Sequence, residues 1–255
     1  MFPIASRGIY APFNQVMGDA FLYWDANKTD TFTDLTTNGN NATQNTLGTG
    51  ASITHNSPGS GSYWHFTTPD GSVGQPYAEV SSPTSFTMTP SGAMSWFTVT
   101  SVDSSHNGDN VTFRWGSSND SVIYSAYDGP GDVGSGHWAA GMTQNTSSVS
   151  CVGSERIEST AFYNDDAWYI NFYLYDPTYD RFYIFGNNSK LVESTYQFIC
   201  EDVILDSSIT IGLSSLSGTN EQNFKWGAGG FWKDKVLTAE ERQSIIDYYQ
   251  PIYGL

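Results

Sequence analysis

The chain is interrupted too often to build long helices. From Phe21 onward, short runs rich in β-branched and aromatic residues recur, each closed by a cluster of Gly, Pro, Asn, Asp or Ser. Phe21–Trp24, Ser62–Phe66, Tyr77–Val80, Ser95–Val102, Asn110–Trp115 and Val122–Tyr127 come first. Trp138–Met142, Ser148–Val152, Trp168–Tyr175, Arg181–Phe185, Ile209–Leu213 and Phe224–Trp232 follow. Strands at this spacing predict an all-β, antiparallel two-sheet sandwich of the jelly-roll kind. The plainest hairpin joins Trp168–Tyr175 to Arg181–Phe185 through Asp176-Pro177-Thr178-Tyr179-Asp180. Alternation puts Ile170, Phe172 and Leu174 on one face and Tyr169, Asn171, Tyr173 and Tyr175 on the other. The stretch from Asp25 to Gly50, dense in Asn, Thr and Gly, reads as one long polar loop.

One short C-terminal helix is predicted. Thr238-Ala239-Glu240-Glu241 fits a capping box, in which the Thr oxygen accepts from the third helical amide and the Glu reaches back. Ile245, Ile246 and Tyr249 then form an apolar stripe, and Pro251 is expected to end it.

Composition narrows the class further. Only 14% of residues are charged, against roughly 25% in an average domain, so coiled coils, helical bundles and charged disordered tails are excluded. A net charge of −16 gives no field that draws the chain to nucleic acid or anionic lipid. No apolar run approaches the roughly 18 residues of a membrane helix, so membrane insertion is not expected. With 255 residues and no linker or repeat, one large domain over 19–255 is the reading. Residues 1–18 lack a clear period and carry Pro3 and Pro12, which suggests an arm ordered by docking onto something. The N-terminus has no basic segment followed by an apolar one, so no signal peptide is expected. Cys151 and Cys200 could bridge neighbouring strands or stay buried as free thiols, the latter favoured because nothing indicates secretion. The N-x-[ST] sequons at Asn27, Asn41, Asn110, Asn119, Asn145 and Asn187 are expected to be unmodified for the same reason.

Two segments resemble a known family. Phe21-Leu-Tyr-Trp-Asp25-Ala, followed by Asp34-Leu-Thr-Thr-Asn38-Gly39-Asn40-Asn-Ala42, is similar to the opening of concanavalin A-like (laminin G-like) domains. Gly229-Gly-Phe-Trp232 running into Leu237-Thr-Ala-Glu-Glu241 resembles that family's closing strand and helix, and Ser95–Val102 resembles a central core strand. These matches bracket residues 21 to 250. The resemblance implies a jelly roll, on a fold shared by lectins, adhesion modules, glucanases and virion surface proteins, so it leaves function to the site.

The enzymatic branch of the family carries Glu-x-Asp-x-x-Glu on one strand, which puts its carboxylates on one face about 5–5.5 Å apart. Here Glu201 and Asp202 point to opposite faces, and Asp202 and Asp206 lie about 13 Å apart along one face, so no catalytic residue is assigned. Asp25-x-Asn27-x-Thr29 imitates the start of a calcium loop but has Asp30 and Thr36 where Gly and Glu belong. Asp176 and Asp180 face each other across a hairpin neck, although Asp176 can equally cap an Asp-Pro turn. Asp25, Asp176 and Asp180 are therefore the metal candidates, with Ca2+ the ion, and no cofactor is required. Gly129-Pro-Gly131-Asp-Val-Gly134 matches a dinucleotide motif in form, but no helix follows to hold a pyrophosphate. His55, His65, His106 and His137 have no metal-ligand spacing.

Sugar rings stack on Trp or Tyr while amides and carboxylates bind their hydroxyls. Trp64, Trp115, Tyr127 and Trp138 stand beside polar loops and are the glycan-binding candidates, core burial being the competing reading for each. Together these features point to a non-enzymatic binding or structural module. By analogy with capsid decoration proteins, head fibres and tail-associated adhesins, the expected place is the surface of a bacteriophage virion assembled in the host cytoplasm. Residues 1–18 would contact other virion proteins, the domain would meet host glycan, and a homo-oligomer is expected. A free carbohydrate-binding lectin is the alternative, and a glycoside hydrolase a distant one.

Overall fold

A computed structural model describes residues 11–59, 61–69, 74–84, 86–102, 109–116, 122–128, 137–143, 154–159, 166–194, 203–205, 207–212 and 223–255. Cys151, Cys200, the Gly129–Gly134 motif, the expected strand Ser148–Val152, His106, Glu201, Asp202 and Asp206 lie outside the described residues.

The chain opens with helix α1 (Phe13–Gly18), then strands β1 (Leu22–Asp25), β2 (Thr43–Leu47), β3 (Ser52–Asn56), β4 (Tyr63–Thr67), β5 (Gln75–Val80) and β6 (Phe86–Met88). Next come β7 (Met94–Val102), β8 (Asp109–Trp115), β9 (Val122–Asp128), β10 (His137–Thr143), β11 (Ser154–Glu158) and β12 (Trp168–Asp176). β13 (Arg181–Gly186), β14 (Ser189–Glu193), β15 (Val203–Leu205), β16 (Ile209–Ile211), β17 (Asn223–Lys233) and helix α2 (Ala239–Tyr253) complete it. Among the described residues they form two large antiparallel sheets. One has eight strands, ordered β14-β13-β12-β7-β17-β4-β3 with β1 also on β17. The other has seven, ordered β11-β10-β9-β8-β16-β5-β2. The sandwich predicted from the strand spacing is the fold.

Two apolar layers explain the pattern. Trp24, Trp64, Trp96, Trp115, Trp138 and Trp226 fill the space between the sheets. Phe97, Val99, Ile170, Phe172, Leu174 and Trp232 instead pack outward against both helices. A strand such as β7, with one face in each layer, is buried at every residue. The hairpin alternation holds here: Ile170, Phe172 and Leu174 meet the helices, and Tyr173 and Tyr175 meet the second sheet.

Of the expected arm over 1–18, the described residues 11–18 pack on the rest of the chain. Phe13 stacks on Tyr248 with centroids 3.8 Å apart, Trp232 Nε1 donates to the Val16 carbonyl at 3.1 Å, and Ser244 Oγ donates to the Ala11 carbonyl at 2.7 Å. At the other end the capping box is present, with Thr238 N donating to Glu241 Oε2 and Glu241 N to Thr238 Oγ1. Pro251, however, lies inside α2. It forfeits one helical hydrogen bond, but the last turn is held by Tyr253, whose hydroxyl donates to the Ser62 carbonyl at 2.6 Å. Gly254, at φ 72°, makes the stop by donating its N–H to the Gln250 carbonyl.

Candidate functional site

The four aromatic candidates are interior. Trp64, Trp115 and Trp138 are fully buried and Tyr127 is 1% exposed. Trp64 stacks on Phe32 at 4.0 Å, Trp115 on Phe21 at 5.4 Å, and Tyr127 meets Trp138 edge-on at 5.2 Å. A ring face already covered by another ring cannot take a sugar, so these residues are corrected from glycan contacts to core. Their inward phase was visible in the sequence: each Trp alternates with an apolar residue two positions away, Phe66, Phe113 and Ala140 respectively.

The metal candidates do not converge. Asp25 pairs in register with Ala228, which pairs with Val99, whereas Tyr175, just before Asp176, pairs with Met94. Five residues of strand separate the two levels, about 16 Å. Asp25 is fully buried and its oxygens are engaged. Oδ1 accepts from the Asn27 backbone and side-chain amides at 2.8 and 3.0 Å. Oδ2 accepts from the Tyr23 and Tyr249 hydroxyls at 2.7 and 3.1 Å. This set ties β1 to α2 and leaves the carboxylate no side open to an ion. Asp176 caps its turn by accepting from Thr178 N at 2.9 Å, and Asp180 accepts from the Tyr175 hydroxyl at 3.0 Å while holding φ 52°. Among the described residues no three His, Cys, Asp or Glu side chains gather to hold a metal.

The loop behind the family resemblance is structural as well. Asp34 accepts from the backbone N–H groups of Tyr23, Thr36 and Asn40 and from the Thr36 hydroxyl, at 2.8–3.1 Å. Asn41 Oδ1 accepts from Asp34 N, and Asn38 Nδ2 donates to the Phe21 carbonyl. Gly39 takes φ 69°, the left-handed conformation a glycine adopts without strain.

The two sheets differ in what lies against their outer faces. Both helices lie against the eight-stranded sheet; among the described residues no helix covers the outer face of the seven-stranded one. One row crosses that face in register: Arg156 beside Gly141, Gly141 beside Tyr124, Tyr124 beside Arg114, Arg114 beside Thr210, and Thr210 beside Glu79. A Cβ on Gly141 would fall 2.5 Å from the Tyr124 hydroxyl and 2.6 Å from its ring. The bare glycine therefore leaves room for the Tyr124 ring over β10. Tyr124, Arg114, Glu79 and Tyr77 are each half-buried. Burial pushes the Arg114 guanidinium below its ordinary value, opposed by Tyr124. Burial, then the neighbouring Glu79 charge, pushes the Tyr77 phenol up. The row carries an aromatic ring, a cation and a carboxylate, while Thr210 between them is buried; this is hydrogen-bonding and stacking chemistry without an acid pair. The sequence carried a faint signal for it, since Arg114 and Tyr124 occupy the outward phase between inward neighbours.

No protein-family model matches the chain, and no curated protein does either. Solved structures of similar fold include the binding domain of Paraclostridial Mosquitocidal Protein 1, with TM-score 0.63 and 12% identity over 92% of this chain and 53% of that one. The botulinum neurotoxin serotype G binding domain is similar at TM-score 0.59 and 12% identity, over 91% and 51%. A third is of botulinum neurotoxin type C, which depends on interaction with two ganglioside molecules to enter cells; it gives TM-score 0.57 and 13% identity, over 92% and 52%. This chain spans about half the length of those it resembles. They share its fold and are binding domains where their function is stated.

Proposed function

We propose that this chain is a non-enzymatic, lectin-like module on a concanavalin A-like sandwich, binding glycan on the outer face of its seven-stranded sheet. The observation that carries the reading is the Tyr124 ring seated over Gly141, in the same cross-strand row as Arg114 and Glu79. A ring lying along a sheet presents a face to the C–H side of a sugar, and the flanking groups match its hydroxyls. The ganglioside dependence stated for a structure of the same fold supports the same ligand class. No cofactor takes part.

The place proposed for the module is the surface of a bacteriophage particle, assembled in the host cytoplasm as a homo-oligomer and attached to other virion proteins through its N-terminal end. Because α1 belongs to the packed domain, truncation after Tyr10 is the fitting test of attachment. Loss of particle association with glycan binding retained supports the virion reading; association that survives truncation favours a free lectin.

A glycan array tests the binding itself. The intact chain should retain one glycan class, equally with EDTA present, and Tyr124→Ala and Arg114→Ala should each lose it while keeping the wild-type Tm. No binding at millimolar glycan, or binding indifferent to both variants, overturns the proposal. Sugar release from a bound β-glucan overturns the non-enzymatic part.

A further inference from the structure

A polar patch interrupts the apolar layer between the sheets. Thr98 and Thr100 on β7 share the inward face with Trp96, and Asn171 on β12 is the register partner of Thr98. Glycines flank the pair, Gly186 beside Asn171 and Gly229 beside Thr98. Two indoles fix what lies opposite. Trp96 Nε1 donates to Ser125 Oγ at 3.1 Å, and Trp226 Nε1 donates to the Thr112 carbonyl at 3.0 Å. Trp226 is also the cross-strand partner of Thr100. The Thr112 and Ser125 hydroxyls lie 3.0 Å apart, and Ala140 sits beside Ser125 in register. Small side chains therefore meet small side chains across sheets that stand about 10 Å apart.

The polar atoms on this patch are unsatisfied. Thr98 Oγ1, Thr100 Oγ1, and both Oδ1 and Nδ2 of Asn171 are buried with no hydrogen-bond partner among the described residues. All three residues are fully buried. Leaving four such groups unpaired would consume a large share of a domain's marginal stability. Hydroxyls and an amide also offer both donors and acceptors, as water requires.

We propose that the sandwich encloses a small cluster of ordered water that bridges Thr98, Thr100 and Asn171 to Ser125 and Thr112. At roughly three hydrogen bonds per buried water, about two molecules satisfy these groups. Thr98, Thr100 and Asn171 are fully buried, so the ligand is water and not a solute that enters from the surface, and the site stands apart from the glycan reading. Trp96 and Trp226 wall it on either side, which makes the two indole bridges the posts of a hydrated compartment.

A high-resolution crystal structure of the intact chain is the primary test. Peaks at hydrogen-bond distance, about 2.7–3.2 Å, from Thr98 Oγ1 and the Asn171 amide are expected. A dry patch, or Asn171 paired directly with Thr98, overturns the proposal. The Thr98→Val/Thr100→Val double variant gives a second readout. If water is present, removing the hydroxyls strips it of partners and Tm falls by about 2 °C or more. If the patch is dry, removing orphaned hydroxyls leaves Tm unchanged or raises it, which also overturns the proposal.

Discussion

Asp34 shows how one side chain can fix a loop. With four donors aimed at its carboxylate, it holds the turn of Thr36–Asn40 against the start of β1. Asp34→Asn keeps the shape but points an amide donor at backbone N–H groups. The variant should lose about 2–3 kcal/mol, read as a lower urea midpoint with unchanged slope; a loss under about 0.5 kcal/mol would show that the carboxylate does not organise the loop. The sequence marks this residue only through the family resemblance, whose Asp, Asn and Gly span this turn. Trp64, Trp115, Tyr127 and Trp138 were not legible, because a large ring next to a polar loop is consistent with either side of a sheet. Seven of the chain's 8 tryptophans are fully buried, so its aromatic wealth describes the interior. Tyr124 escaped notice because its platform depends on a glycine on a neighbouring strand, a pairing that only register reveals.

Elements with local signals were readable and those without were not. α2 announced itself through Thr238 and Glu241, and both reciprocal hydrogen bonds are present. Thr238→Ala should cost about 1 kcal/mol, measurable as a Tm shift of about 2–4 °C; no shift would mean that tertiary packing alone sets the helix start. α2 runs past Pro251 because Tyr253, in the final turn, anchors that turn to the Ser62 carbonyl outside the helix. β2, Thr43-Gln-Asn-Thr-Leu47, falls within the expected polar loop. Among the described residues it is an edge strand on β5, and it is exposed at four of its five residues, so it carries no apolar alternation. α1 lacked a visible period because only Val16 and Met17 of its six residues are buried.

At the scale of the molecule, three tyrosines couple the sandwich to α2. Burial, then the Asp25 charge, pushes the Tyr23 phenol well above its ordinary value. Burial does the same first for Tyr249 and Tyr253. Ionisation is thus harder in the folded chain than in the unfolded one. The stabilisation is complete below about pH 10, where unfolded tyrosine is protonated, and is lost as pH climbs beyond it. In an alkaline titration, tyrosinate absorbance from these residues should rise in step with the loss of near-ultraviolet circular dichroism. Full tyrosinate absorbance with the tertiary signal intact would contradict this coupling. The net charge of −16 adds self-repulsion that grows in the same direction.

The outer face of the seven-stranded sheet is the centre of the functional account. Backbone amide shifts recorded while titrating the glycan that binds best on the array locate the contact directly. Saturable shifts should concentrate at Glu79, Arg114, Tyr124, Gly141 and Thr210. Shifts confined to the β12–β13 hairpin tip around the exposed Tyr179, or to the helical face, would contradict it.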